Sequence, residues 1–512
     1  LSLHDALPIF DLNPPHLDDN RADCERLLDR LSSFGVVGVP LKLLRRMPRV
    51  LRQADWRLTV TLGRTDRGWK VQALEPAGAT GRQFGLAVDA GTTTITASVV
   101  DLVSGRTLAT AAGENAQTVV GEDVLTRIHA AWEPGGLEKL QGLLVGSVNR
   151  VAGEAASAAQ VALEEITAAA VGANTVMTHF FLGLDPTWIC REPYVPVVNR
   201  PGIVDAAGLG MAVHSEAVVY CLPGVGSYFG GDAVAGIMVS GMHEGEEISL
   251  FMDIGTNGEM VVGNREWLVA AAGAAGPAFE GGVVRHGVRA GPGAVERVRV
   301  DPRSHRVEYK VIGGGKAKGL CGSAVVDALA GMLLAGIVDR AGRFRDGRET
   351  FVIVPGIDAD SGEDIVITRQ DIKNFLRTKG AVNAAMETLL AAVGVKPQEV
   401  SRFYVAGAFG ERLDVEAAVT IGLYPDLPRE RIRLLGNSSL EGARQALVSE
   451  EKRRELEEIC RRITYLELNV NTDFMARFAG SQFFPHTDIA LYPSVERRLR
   501  AAGLLHHFTA SD

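Results

Sequence analysis

Five cysteines, Cys24, Cys190, Cys221, Cys321 and Cys460, are scattered singly through 512 residues and never fall in a CxxC or ferredoxin-like spacing. That spacing encodes neither an iron–sulfur cluster nor a zinc knuckle. An odd, dispersed set suits a reducing compartment. No apolar run reaches the roughly eighteen residues of a membrane span and no signal peptide is visible, so a cytoplasmic protein is expected. Basic blocks are also missing. The net charge is −9 with 22% charged residues, which leaves no electrostatic footprint for nucleic acid. What the sequence does have is glycine, 58 residues gathered in short loops, and hence many tight backbone turns. Its length is enough for about two to four domains with ample cores.

The stretch Phe84-Gly-Leu-Ala-Val-Asp-Ala-Gly-Thr-Thr-Thr94 is an apolar strand that ends on an aspartate and turns through glycine into threonines. Phe251-Met-Asp-Ile-Gly-Thr-Asn-Gly-Glu259 repeats it, so Asp89, Gly91 and Thr92 align with Asp253, Gly255 and Thr256. Glycine lets backbone N–H groups approach an anion, and threonine hydroxyls add donors. The strand-end carboxylate can hold Mg²⁺ directly or through water. Each turn leads into another β-rich stretch, Ile95 to Leu102 and Met260 to Val262, which makes it a hairpin tip rather than a lysine-bearing P-loop that opens a helix. One Asp-X-Gly turn could merely join two strands. Two copies point to a duplicated nucleotide clamp, with Gly91, Thr92, Thr93, Thr94, Gly255, Thr256 and Asn257 on phosphates and Asp89 and Asp253 as metal-holding carboxylates.

The first ten residues, LSLHDALPIF, resemble translated adapter read-through and are set aside as an artefact, with a genuine N-terminal region expected to be lost. Residues 11–80 form a small α+β unit: a helix through Leu17–Leu31, a basic helix Leu41–Ala54 interrupted by Pro48, and strands near Trp56–Leu62 and Gly68–Leu74. Arg45, Arg46, Arg49 and Arg52 read as a solvated face before a docking patch. Residues 83–245 form a first half and 246–486 a second, with 487–512 a tail that packs or frays. In the first half Asn115-Ala-Gln117, Gly121 and Asp123–Ile128 form a loop entering a helix, a long Ala-rich helix runs to about Ala158 with a break near Pro134-Gly-Gly136, and His179 reads as a core histidine. Asp232, after a glycine-rich loop, fits a helix N-cap and equally a holder of a metal-bound water. In the second half the Gly273–Gly282 loop, including Gly276, can wrap a flat ligand edge. Gly322 and Ser323 open a helix whose N-terminus suits an anion or simply packs tightly. The Thr368–Val393 helix carries Lys373, Arg377 and Lys379 as a solvated face. Strand–glycine–helix elements at Arg402–Gly410, with Gly407 and Gly410, and at Leu434–Ala443 sit where α/β folds bind ligands. Leu456 and Ile459 of a charged helix, Glu450–Arg462, are core positions.

Two phosphate hairpins in duplicated halves, followed by strand–glycine–helix elements, resemble the acetate/sugar kinase, Hsp70 and actin superfamily. The ordered set GLAVDAGTTT, NAQ with GEDVLTRI, GGDAVAG, MDIGTNGEM, AAGPAFEGG, GLCGSAVVDAL, VAGAFG, IGLYPDLP and GNSSLEGA resembles the reductive activators of corrinoid enzymes over about Asp11 to Pro485. The resemblance implies an α/β fold of two ribonuclease H-like ATPase halves after a small linker domain. It also implies an ATPase, with ATP and Mg²⁺ as ligands and Asp89, Asp253 and Asp232 as catalytic candidates, that couples hydrolysis to reduction of Co(II) to Co(I) on a corrinoid methyltransferase partner. The electron comes, in that family, from a plant-type [2Fe–2S] domain. Here it would come from a lost N-terminal domain or a separate ferredoxin-type donor. A homodimer is compatible with this picture. The chain departs from the superfamily at Ala408, where a second glycine usually stands. Two other functions remain open: a sugar or carboxylate kinase with Asp232 as base, although Tyr228 and Phe229 beside it do not resemble a hydroxyl-binding pocket, and an Hsp70-like nucleotide switch.

Overall fold

The computed structural model describes residues 4–6, 10–78, 82–255, 258–273, 282, 284–407, 410, 412–468 and 471–505. The chain divides into two compact units, residues 1–239 with 438–462, and residues 240–437 with 463–512.

The first unit opens with a small sheet: β1 (His4–Ala6), β2 (Phe10–Asp11), β3 (Val37–Gly38), β4 (Arg57–Thr65) and β5 (Gly68–Pro76), in the order β1-β4-β5-β3 with β2 also on β4. Residues 4–6, set aside on sequence, pair with Thr61–Gly63. Helices α1 (Asp23–Arg30) and α2 (Leu41–Gln53) pack here, burying Leu27, Met47 and Leu51 with Leu58, Val60, Leu62 and Val71. Pro48 does not interrupt α2, contrary to the sequence expectation. A mid-helix proline costs roughly 3 kcal/mol. Burying Leu43, Met47 and Leu51 returns roughly 1.5–3 kcal/mol each, which outweighs it.

The larger sheet of this unit contains β6 (Phe84–Ala90), β7 (Thr94–Asp101), β8 (Thr107–Glu114), β9 (Ile166–Gly172), β10 (Gly202–Asp205) and β11 (Val218–Cys221), ordered β10-β11-β9-β6-β7-β8. Between β8 and β9 run α3 (Val124–Ala131) and α4 (Gly136–Ala159), the break falling at the expected Pro134–Gly136. Helix α4 packs on β7 and β8, and the helix Ser438–Val448 packs on β6 and β9. With helices against it the sheet needs small residues: a Cβ on Gly85 would sit 2.7 Å from both Leu102 and Leu447 side-chain carbons. After β9 comes α5 (Thr175–Leu182), and after β10 the single-turn α6 (Ala206–Leu209). His179 is fully buried in α5, with Nδ1 2.7 Å from the Thr175 carbonyl and Nε2 accepting from the Val197 N–H, and burial holds its pKa low. It is the core histidine the sequence suggested. Helix α7 (Gly231–Ser240) follows β11.

The second unit is built on β12 (Ser249–Ile254), β13 (Gly258–Gly263) and β14 (Leu268–Gly273). The chain then makes β15 (Ala294–Val300), β16 (Val307–Val311) and β17 (Gly319–Leu320), α8 (Gly322–Leu334), the ribbon β18 (Thr350–Val354) and β19 (Ile365–Thr368), and α9 (Arg369–Ala392). It returns to the main sheet with β20 (Arg402–Ala406), β21 (Ile432–Gly436) and β22 (Ile463–Leu466), giving β21-β20-β12-β13-β14-β22. The two large sheets therefore share one core order. Two parallel strands lead to a strand ending in aspartate, which then opens an antiparallel meander: β11-β9-β6-β7-β8 in one unit and β21-β20-β12-β13-β14 in the other. This is the duplication that the repeated Asp-X-Gly-Thr turns implied.

Lys379 corrects a second expectation. Rather than lying on a solvated face of α9 it is fully buried, donating to the carbonyls of Ser481 (2.9 Å), Phe483 (3.1 Å) and Pro485. Burial pushes its ammonium down to about 7. The tail packs through Val495 and Leu499 of the helix Pro493–Ala501.

Candidate functional site

In the first unit the β6–β7 hairpin ends in a tip whose carbonyls are all accounted for. Asn115 Nδ2 donates to the carbonyls of Gly91 (3.0 Å) and Thr92 (3.1 Å), its backbone N–H to Thr93 (2.9 Å), and the Gly91 N–H to Thr94 (3.1 Å). With four acceptors turned onto the protein, the tip has amide N–H groups and hydroxyls left to present, which suits an anion. A Cβ at Gly91 would lie 2.6 Å from the Thr94 carbonyl oxygen, so the turn closes only around glycine. Asn115 is itself fixed in a buried relay in which Arg127 Nη1 donates to Gln117 Oε1 (3.0 Å) and Gln117 Nε2 to the Leu140 carbonyl (2.9 Å). This explains why NAQ and GEDVLTRI travel together: the second motif delivers the arginine that braces the first.

Thr92 is buried, and its Oγ1 accepts from Asn174 Nδ2 at 3.1 Å, so its proton remains to be given. Asn174 also caps α5, its Oδ1 accepting from the Met177 N–H at 2.9 Å. Thr93 is half-buried and Thr94 exposed. Asp232 lies within the first turn of α7, two residues beyond the N-cap position rather than at it as the sequence suggested. Its Oδ1 accepts from the Ala233 N–H at 2.8 Å and its own N–H donates to the Ala173 carbonyl at 3.3 Å. Asp89 pairs with Gly172, the neighbour of Ala173, which brings the two aspartates into one region. Burial first, and then the charge of Asp89, push Asp232 up to about 7. Two carboxylates held against their mutual repulsion form an all-oxygen donor set that suits a hard cation such as Mg²⁺.

In the second unit Asp253 is the penultimate residue of β12 as Asp89 is of β6, and Gly255 follows the strand. Gly407 has φ +89°, and a Cβ there would meet Asp253 Oδ1 at 2.7 Å, so glycine alone lets the strand–turn–helix chain pass beside the carboxylate. Gly410 packs against Val405. Gly322 and Ser323 do open α8, but the Ser323 hydroxyl is buried and donates to the Glu296 carbonyl at 2.9 Å. One turn later Asp327 Oδ2 accepts from the Val298 N–H at 3.3 Å, so this face of α8 clasps the irregular edge of β15. Thr256, Asn257, Gly276 and Ala408 lie outside the described residues.

Each large sheet carries its aspartate at the corresponding place in a cross-strand row. The first reads Gly172, Asp89, Thr96, Ala112 across β9, β6, β7 and β8. The second reads Ala406, Asp253, Glu259, Ala272 across β20, β12, β13 and β14. Small residues, Gly172 and Ala112 in one sheet and Ala406 and Ala272 in the other, stand at the two ends of each row. Sequence reading found the aspartates but gave no role to Asn115, Asn174, Arg127 or Glu259. The asparagines and the arginine act through contacts distant in sequence, whereas strand alternation places Glu259 on the face of Asp253.

Three family descriptions match consecutive stretches: the linker region of RACo at residues 9–81, its middle region at 84–245, and its C-terminal ASKHA domain at 247–496. A solved structure of a reductive activator for a corrinoid, iron–sulfur protein is 40% identical, with a TM-score of 0.89, over 96% of this chain and 81% of that one. The corrinoid activation enzyme RamQ of Eubacterium limosum is 28% identical over 420 residues, 78% of this chain and 70% of that protein. The [Co(II) methylated amine-specific corrinoid protein] reductase of Methanosarcina barkeri is 28% identical over 270 residues, where this chain spans 48% of its length. The chain belongs to the RACo family of reductive activators for corrinoid proteins.

Proposed function

We propose that this chain hydrolyses ATP to reactivate a corrinoid protein, allowing one electron to convert an inactive Co(II) corrinoid to Co(I). The observation that carries the reading is likeness to a reductive activator along 96% of the chain, on a scaffold that repeats a strand-end aspartate beside a glycine turn in each unit. The Thr92–Thr94 tip holds phosphate oxygens through N–H groups and hydroxyls, and Gly255 to Asn257 act likewise in the second unit. Asp89 and Asp253 would hold Mg²⁺, with Asp232 beside Asp89 as a further acceptor for its water. A bound magnesium ion supplies charge neutralisation on the phosphates. Gly407 and Gly410 bring backbone close to the nucleoside. Hydrolysis can drive the reduction only if the nucleotide states of the protein differ in affinity for the corrinoid partner.

The five thiols stand on separate segments, so the electron is assigned to a [2Fe–2S] centre of a ferredoxin-type protein or domain. No described helix is long and apolar enough to cross a membrane. We place the protein in the cytoplasm, and homodimerisation is the assembly state to test by light scattering. Asp89→Asn and Asp253→Asn should each keep the circular dichroism spectrum and lower ATP turnover about 10²–10³-fold, the scale for losing one charge-stabilising group. Normal turnover in both variants would remove these carboxylates from the site.

A further inference from the structure

Thr92, on the tip of the first hairpin, meets Asn174, which lies 82 residues later at the junction of β9 with α5. An asparagine amide has an oxygen that only accepts and a nitrogen that only donates, so its orientation decides what its neighbour must do. Here the helix fixes that orientation. Asn174 is the N-cap of α5, and the Met177 N–H has no acceptor within the helix; Asn174 Oδ1 supplies one at 2.9 Å. Nδ2 is therefore the atom turned to Thr92, 3.1 Å from its Oγ1. A donor on that side takes a lone pair of the hydroxyl and leaves Thr92 to send its own proton elsewhere.

The surrounding backbone holds the asparagine in place. A Cβ on Gly230 would collide with Asn174 Cα and lie 2.6 Å from the Ala173 carbonyl oxygen, so the chain entering α7 passes this junction only as glycine. Thr175 Oγ1 donates to the Gly226 carbonyl at 2.6 Å and ties the same loop to the first turn of α5. Thr92 and Asn174 are 6% and 8% exposed, which shields their hydrogen bond from competing water. Three consecutive residues thus each fix one candidate of the site: Gly172 stands beside Asp89, the Ala173 carbonyl accepts from the Asp232 N–H, and Asn174 donates to Thr92. The register that sets Gly172 beside Asp89 sets Ala406 beside Asp253, so the second unit has Ala408 in the sequence position of Asn174. An alanine side chain donates nothing, so the arrangement belongs to the first tip.

We propose that Asn174 is a positioning residue for phosphate binding: by donating to Thr92 Oγ1 it commits the Thr92 hydroxyl to donating to a phosphate oxygen of the bound nucleotide. This role rests on the ATPase reading above and names the residue that sets the polarity of the first tip. Its two duties separate by substitution. Serine and aspartate cap helices about as well as asparagine. Serine is too short to reach Thr92, whereas aspartate reaches it with an acceptor that draws the hydroxyl proton away from the phosphate.

The test measures binding of a non-hydrolysable ATP analogue with Mg²⁺ to the full chain by isothermal titration calorimetry. Asn174→Ser should bind roughly 3–10-fold more weakly than wild type, the scale of one net hydrogen bond, and Asn174→Asp more weakly again. In a Thr92→Val background, Asn174→Ser should change the affinity no further, a coupling that a purely structural cap would not produce. Thermal unfolding of each variant reports folding, and Asn174→Ser decides the matter where Asn174→Asp does not fold. Wild-type affinity in a folded Asn174→Ser, or the same loss with and without the Thr92 hydroxyl, would overturn the role of Asn174 and leave the ATPase reading intact. Absence of analogue binding in wild type would overturn the ATPase reading itself, and this role with it.

Discussion

Asn115 holds three of the four carbonyls of the first phosphate tip, yet it lies 21 residues beyond Thr94 and belongs to another segment. The tip itself was legible because aspartate, glycine and threonine each carry local chemistry at fixed spacing. Its brace was not, because an asparagine that donates to backbone leaves no local signature. Asp232 shows the same limit from the other side. Its position at a helix start was readable, whereas its proximity to Asp89 required the register of β6 with β9. That proximity has a consequence for stability. Between the ordinary value of 3.8 and about 7 the folded chain retains a proton that the unfolded chain has released, so stability falls as pH rises through this window. In metal-free buffer Asp232→Asn should therefore be more stable than wild type at pH 8, by an amount on the order of a few kcal/mol at most. The difference should vanish towards pH 4. Denaturant melts at the two pH values measure it, and a pH-independent difference would mean that Asp232 is not held protonated by its surroundings.

At the scale of elements, the hairpins, the α3–α4 break and the two late strand–glycine–helix units followed from periodicity and turn chemistry. Helix α9 followed too, but the role of Lys379 did not. Basic residues on a helix are usually solvated, and nothing local says that three carbonyls of a segment about a hundred residues later will meet one ammonium. The same segment is held by Asn383, which accepts from the Ser481 hydroxyl at 2.9 Å and donates to Tyr492 Oη at 2.8 Å. Lys379 and Asn383 are four apart, so one face of α9 organises the C-terminal part of the unit. Lys379→Met should cost about 3–5 kcal/mol of stability, because it strands buried carbonyls that no water reaches. Chemical denaturation checks the value, and a loss below about 1 kcal/mol would show that the segment finds other donors.

At the scale of the molecule, one five-strand order occurs twice and places an aspartate beside a small residue of the neighbouring parallel strand each time, Gly172 or Ala406. Sequence revealed the duplication through two short turns, since those turns carry the chemistry, while the remainder of each half has diverged to different helices and insertions. The α/β class, the paired halves and the family resemblance were thus open to reading. The interleaving by which residues 438–462 join the first unit was not, because a helix of ordinary composition carries no mark of the sheet it will cover. The central claim is that ATP turnover drives electron delivery to a corrinoid. It is tested most directly by mixing the purified chain with a Co(II) corrinoid methyltransferase protein, ATP, Mg²⁺ and a low-potential [2Fe–2S] donor, and following Co(I) by absorbance. The account predicts Co(I) formation that requires ATP and fails with Asp89→Asn or Asp253→Asn, together with hydrolysis stimulated by the corrinoid protein. Co(I) formation at the same rate without ATP, or turnover indifferent to the corrinoid protein, would contradict it.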